Sequence, residues 1–305
     1  MSSPVFAGSG LPQAVLNFSI QLMSKHFFCY NDNFYPEGTF VIGPDSRSLK
    51  YGDGVFETLM TNKGIIQLRE YHFERLFYGM KTLQFEIPKY FTPIYLEDKI
   101  LELCRKNKHN SFTRVRLMVF RGGNGLYDYK RNLPDYIIQT WNVEHSQELN
   151  SNGLTIDIYP GAKKTCDKFA NLKTNNFLPY VMAGLYAKQS KVNDCIVLNC
   201  FDRVCDTTIA NIFIIKNDII YTPPLSEGCI AGVMRRFIIE KLIESNFNII
   251  EKLLTIDELE NADEVFVTNS IKGIRWVKQF RNIEYRNKNL KEIHTLIQSE
   301  LLKEN

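Results

Sequence analysis

Residues 171–222 read NLKTNNFLPYVMAGLYAKQSKVNDCIVLNCFDRVCDTTIANIFIIKNDIIYT, and the order of features in this stretch limits the fold more than any other part of the chain. Lys173 stands just ahead of an apolar run opened by Pro179, a residue favoured in the first turn of a helix. Two strand-like runs follow, Cys195 to Cys200 and Ile209 to Ile215, with Asp206 between them. A lysine and a carboxylate so placed could face a flat ligand from opposite sides. The same spacing also suits a solvated loop lysine and a turn aspartate, and the residues alone leave both readings open.

The remainder of the chain has the patterning of a mixed α and β protein. FFCYND, TFVIG and VFETLMT read as strands, and Asn62-Lys63-Gly64 turns the last of these into IIQLRE with hairpin chemistry. Phe73, Leu76, Phe77, Met80 and Leu83 recur at helical spacing, which predicts an amphipathic helix over 70–84 with Arg75 beside its apolar stripe. A second helix is expected from Leu96 to Lys106, then strands over 113–120 and 135–142 around the loop RGGNGLYDYKRNLP, whose glycines suit either a substrate-facing loop or a hairpin tip. The polar segment 143–153 is the expected linker. It separates a smaller α+β domain, 26–145, from a larger one, 150–305, and residues 1–25 read as an extension. In the second half strands alternate with helices, Thr255 and Glu258 form a capping-box signature, and 289–305 reads as a terminal amphipathic helix.

Composition narrows the function classes. With 37 basic against 34 acidic residues the net charge is +3, which gives no electrostatic case for nucleic acid or an anionic membrane. No window is long and apolar enough for a membrane span, and the N-terminus lacks the pattern of a cleaved signal, so a cytoplasmic protein is expected. The seven cysteines are odd in number and show no CxxC pairing, which reads as reduced core thiols. The five histidines are scattered, and no metal site is expected.

Four ordered segments carry a resemblance. They are YGDGVFETL (51–59) with HFERL (72–76), LKTNNFL (172–178), CDTTIANIFII (205–215) with TPPLSEGCIAGVMRR (222–236), and DEVFVTNSIKGIRWV (263–277). Together they resemble the fold-type IV pyridoxal-phosphate enzymes, which include the branched-chain and D-amino acid aminotransferases and aminodeoxychorismate lyase. The resemblance implies a two-domain α+β and α/β fold of the D-amino acid aminotransferase type. It also implies a homodimer, a small amino substrate and pyridoxal 5'-phosphate as cofactor.

It assigns roles by position. Lys173 would be the catalytic lysine that binds the cofactor aldehyde and moves a proton. Asp206, five residues before Asn211, stands where the family usually has glutamate facing the pyridine nitrogen. Gly232, Val233 and Met234 open a helix that could receive the phosphate, with Met234 where many members have threonine. Arg75 matches the family's phosphate arginine, and Ser270 a hydroxyl beside the same group. Thr58, Asn124 and Arg275 are the candidate substrate contacts.

GGNGLYDY lacks the Arg-x-His carboxylate trap of the D-amino acid branch, and Thr268-Asn269-Ser270 replaces the Gly-Thr-Ala of branched-chain enzymes. The TNS form, with GDGVFET and GVMRR, is similar to aminodeoxychorismate lyase. The expected activity is therefore conversion of 4-amino-4-deoxychorismate to 4-aminobenzoate and pyruvate. The alternatives are an aminotransferase of branched-chain or related amino acids, and a non-catalytic protein that keeps the fold.

Overall fold

The computed structural model describes residues 26–123 and 132–304. The extension 1–25 and Asn124 lie outside the described residues. In the first half the elements run β1 (Phe27–Tyr30), β2 (Asn33–Pro36), α1 (Arg47–Tyr51), β3 (Gly54–Asn62), β4 (Ile65–Ile66), α2 (Arg69–Thr82), α3 (Pro93–Lys106), β5 (Thr113–Arg121) and β6 (Pro134–Asn142). The strands form one six-stranded antiparallel sheet in the order β2-β1-β6-β5-β3-β4.

The β3–β4 turn needs two residues at positive φ, and Lys63 (48°) with Gly64 (84°) supply them in the geometry of a type I′ hairpin. β5 alternates strictly at its start. Thr113, Val115 and Leu117 are buried while Arg114, Arg116 and Met118 are turned to the other face. The apolar face of this sheet packs with Phe73, Leu76 and Met80 of α2 and Leu96, Ile100 and Leu103 of α3 into one core.

The second half runs β7 (Leu154–Ile158), α4 (Leu178–Gln189), β8 (Asp194–Leu198), β9 (Val204–Thr207), β10 (Asn211–Lys216), β11 (Ile219–Thr222), α5 (Val233–Glu244), β12 (Ile249–Glu251), α6 (Ile256–Glu260), β13 (Glu264–Asn269), β14 (Gly273–Phe280), β15 (Ile283–Glu284) and α7 (Lys288–Lys303). The strands make a mixed sheet in the order β12-β11-β10-β13-β14-β7-β8-β9, with β15 on β14. Helices α5 and α7 cover one face through Phe237, Ile238, Leu290 and Ile293. The capping box of Thr255 and Glu258 closes the N-terminus of α6.

Backbone pairing joins the two halves. Thr174 bridges to Val55 of β3, Phe56 N–H donates to Lys173 O at 2.9 Å, and Asn175 N–H donates to Gly54 O at 2.9 Å. The segment carrying Lys173 is thus laid along the edge of a strand from the other sheet. Asp206 departs from the sequence reading in its local structure. It lies within β9, buried, rather than in the turn between two strands.

Candidate active site

A cavity of about 540 Å³ opens where the two sheets meet. Lys173 projects into it. Its backbone is pinned by the β3 pairing, and its Nζ sits 4.5 Å from the centre of the Phe56 ring and 5.3 Å from that of Phe177. Among the described residues Nζ has no hydrogen-bond or ion-pair partner. Loss of hydration on burial lowers its pKa most, and the positive charges of Arg75 and Arg116 push the same way. Against the opposing pull of Glu57 and Asp206 the amine comes to rest at about 7. Such an amine is part neutral at neutral pH and can act as a nucleophile or a base.

Asp206 faces the same cavity. Its carboxylate accepts from the Tyr180 hydroxyl at 2.9 and 3.0 Å and from Ile230 N–H at 2.9 Å, and the Lys164 ammonium lies 3.5 Å away. Burial and the Asp206 charge hold the Tyr180 phenol far above its ordinary pKa, so it remains a donor. Three donors therefore surround a buried carboxylate, so its oxygens have partners in an interior that water hardly reaches.

The third element is the start of α5. Gly232 is its N-cap, and the first N–H groups of a helix have no partner within it. A Cβ at Gly232 would fall 1.9 Å from Asn211 Oδ1 and force that side chain to move. Asn211 is fixed in turn by Nδ2 donating to Ile230 O at 2.9 Å. Val233 and Met234 line the cavity beside Ser270, and the buried hydroxyl of Thr268, also on the lining, has no hydrogen-bond partner among the described residues. Arg75 reaches the same region from α2. Its Nη1 donates to Ala231 O at 2.9 Å, just ahead of the helix cap.

Of the residues expected from sequence, Arg75, Lys173, Asp206, Asn211, Gly232, Val233, Met234 and Ser270 all line this one cavity, and so does Thr58. Arg275 does not. It lies on β14 opposite Val267, and its Nε is buried with no hydrogen-bond partner among the described residues. Three cationic residues that the sequence does not single out line the cavity as well, Lys272 and the two arginines Arg114 and Arg116 of β5. Arg116 stands opposite Thr58 in the β3–β5 ladder with its guanidinium 4.1 Å from the Phe56 ring centre, and Arg114 lines the cavity two residues away. Burial first and the Arg114 charge second work against the Arg116 charge, which prepares it for an anion.

A sequence profile describing the amino-transferase class IV family matches residues 54–280, which hold every one of these lining residues. The chain belongs to the class IV aminotransferase family. Within the family it is similar to a Methanocaldococcus jannaschii protein provisionally named a branched-chain-amino-acid aminotransferase, at 29% identity over 85% of this chain and 91% of the relative. It is also similar to the aminodeoxychorismate lyase of Vibrio harveyi, at 28% identity over 75% of this chain and 83% of that protein. The fold follows that of the branched-chain aminotransferase from Thermoproteus uzoniensis solved with norvaline, with a TM-score of 0.81 at 21% identity over 92% of this chain and 96% of the other. The class IV fold thus brings together a lysine, a held carboxylate and an anion-receptive helix start.

Proposed function

We propose that this class IV enzyme is a pyridoxal-phosphate-dependent 4-amino-4-deoxychorismate lyase, forming 4-aminobenzoate and releasing pyruvate. The cofactor of the family is pyridoxal 5'-phosphate, and the cavity fits it. The unpaired N–H groups at the start of α5, Arg75, Ser270 and the partnerless Thr268 hydroxyl are donors suited to a phosphate, and the pinned Lys173 amine suits its aldehyde. Asp206 is the anion that would face the pyridine nitrogen, with its one-methylene-shorter side chain held in place by Tyr180 and Lys164. When bound, the cofactor supplies an electron sink conjugated to the substrate nitrogen.

The chain's own residues supply the rest. Lys173, with its pKa near 7, takes a proton from the ring carbon bearing the substrate amine. Expulsion of the enolpyruvyl group as its enolate, which takes up a proton at the methylene carbon to become pyruvate, leaves an aromatic ring and drives the reaction forward. Arg114 and Arg116 hold the substrate against this lysine. The observation that carries the proposal is this pair of arginines on the cavity wall. Aminodeoxychorismate carries two carboxylates, and two guanidiniums on one strand face suit a dianion. The Thr268-Asn269-Ser270 form and the similarity to the Vibrio harveyi lyase support the same reading.

A second reading, an aminotransferase of branched-chain or related amino acids, is favoured by the similarity to the Methanocaldococcus jannaschii protein and by the fact that glutamate is also a dicarboxylate. The test is direct. Purified protein supplied with pyridoxal phosphate and aminodeoxychorismate should release pyruvate and fluorescent 4-aminobenzoate in equal amounts. Its visible spectrum should remain unchanged with L-glutamate or L-leucine. Conversion of the bound cofactor to its amine form by either amino acid, without pyruvate release, would give the aminotransferase reading.

We further propose a cytoplasmic homodimer. Support comes from α4, where Leu178 (64% exposed), Val181 (55%), Met182 (42%) and Leu185 (51%) form an apolar stripe at helical spacing. No helix among the described residues is long and apolar enough to cross a membrane.

A further inference from the structure

Seven cysteines suggest reduced core thiols, and five of them, Cys29, Cys104, Cys195, Cys205 and Cys229, are buried. The other two are not. Cys200 is exposed, Cys166 is half-exposed, and their sulfurs lie 3.9 Å apart. Backbone pairing brings them together. Lys164 and Asn199 form a parallel bridge in which Lys164 N–H donates to Leu198 O and Cys200 N–H donates to Lys164 O, each at 2.9 Å. Cys166 follows this bridge on one strand and Cys200 on the other. Gly228 backs the contact, since a Cβ there would stand 2.4 Å from Thr165 O and 3.4 Å from Cys166 Sγ. The loop is therefore seated closely against Gly228.

We propose that Cys166 and Cys200 are a reversible dithiol–disulfide site, oxidised by hydrogen peroxide. A modest rotation of the two side chains closes the gap to the ~2.0 Å of a disulfide bond. Cys200, the more exposed, attacks first. Its thiolate forms an S–O bond as the peroxide O–O bond breaks, and one water leaves with the thiol proton, so that Cys200 becomes a sulfenic acid. Cys166 then attacks that sulfur. The S–S bond forms, the S–O bond breaks, and the hydroxyl departs as a second water with the Cys166 proton. Two thiols lose two electrons to one peroxide. Burial first, then Cys200 and Glu227, raise the Cys166 thiol against a smaller opposing pull from Arg203, and the greater exposure of Cys200 gives it the first attack.

The site has a structural consequence. Cys166 lies in the segment that leads from Lys164 to Lys173, and Cys200 lies in the turn joining β8 to β9, the strand of Asp206. The crosslink would tie together the two segments that present the cavity's lysine and carboxylate.

The experiment uses the full chain, reduced and then treated with hydrogen peroxide, followed by alkylation of free thiols and peptide mapping by mass. The expected product is one intramolecular 166–200 crosslink, reversed by dithiothreitol, with a thermal midpoint above that of the reduced chain. Cys200→Ser, an exposed substitution, should keep the reduced midpoint and form no crosslink. Cys166→Ser should stop at a sulfenic acid on Cys200 that a dimedone probe traps. Over-oxidation of wild-type Cys200 to the sulfonic acid without a crosslink, a Cys200–Cys200 link between chains, or failure of both thiols to react would overturn the proposal.

Discussion

Glu57 holds Arg75 through two parallel bonds, Nε to Oε1 at 2.7 Å and Nη2 to Oε2 at 2.6 Å, and the same carboxylate accepts from His72 Nδ1 at 2.7 Å. Burial alone would raise the Glu57 pKa, but Arg75 and His72 outweigh it and hold it at about 2. The lowered pKa of His72, caused by burial, makes the imidazole a neutral Nδ1–H donor to this anion. The function of Arg75 at the cavity thus rests on a buried acid outside the cavity lining.

Replacing Glu57 by Gln should destabilise the protein by about 3 kcal/mol, because a largely buried guanidinium would lose its counter-charge. Urea unfolding of both proteins checks the magnitude. The pH dependence has a fixed sign. A carboxylate with a lowered folded pKa contributes stability in full above its unfolded value of 4.5, and that contribution fades as pH falls to about 2. Glu57→Gln should lose this acid limb and unfold with a shallower pH profile below 4.5.

Lys173 carries the opposite signature. Its folded pKa is lowered from 10.5 to about 7, so the folded chain binds fewer protons than the unfolded one between those values, and its cost to stability eases only as pH rises through that window. Lys173→Met should therefore raise the thermal midpoint of the cofactor-free chain at pH 7 while abolishing covalent capture of pyridoxal phosphate. Borohydride trapping with peptide mapping reads the capture, which in the wild type should increase with pH through about 7. A label on any other lysine would show that the reactive amine lies elsewhere.

These residues differ in how far the sequence reveals them. Lys173 ahead of a proline-opened helix and Gly232 ahead of another are local patterns, and both are found where local chemistry puts them. The alternation in TRVRLMVF also shows that Arg114 and Arg116 share a face of β5. It cannot show what that face meets, because the cavity is made by the pairing of Thr174 with Val55, between segments remote in sequence. The residues around Asp206 leave it open between a turn aspartate and a ligand-facing acid, because Val204–Thr207 is a short strand with two polar residues, buried where Tyr180, Lys164 and Ile230 satisfy the carboxylate. Arg275 illustrates the converse. Its place in the family-like segment suggests a substrate contact, but β14 turns it away from the cavity lining.

The two wall arginines should separate substrates by charge. Arg116→Leu should raise KM for a dicarboxylate substrate by about 10- to 100-fold, the loss of a charge-assisted bond worth about 1.5–3 kcal/mol. An amino acid with one carboxylate and an apolar side chain should be affected less. Arg114→Leu should follow the same order, its guanidinium lying on the same strand face as that of Arg116. Steady-state kinetics on paired substrates gives the comparison, and equal losses on both would assign these residues to packing.

Asp206 and Tyr180 make the sharpest pair of variants because charge and hydrogen bonding can be removed separately. Asp206→Asn keeps the side-chain volume and removes the anion, so kcat should fall by about 10²-fold or more, as when a preorganised electrostatic partner is lost from a water-poor site. Tyr180→Phe leaves the anion in place with the Ile230 N–H and the Lys164 ammonium still beside it. It should cost about 2 kcal/mol of stability, the value of a hydrogen bond to a charged group, and reduce kcat far less than Asp206→Asn. Circular dichroism establishes that both variants are folded before the rates are compared. If Asp206→Asn turned over at the wild-type rate, the carboxylate would be a structural anchor for Tyr180 and Lys164, and the electron sink would owe nothing to its charge.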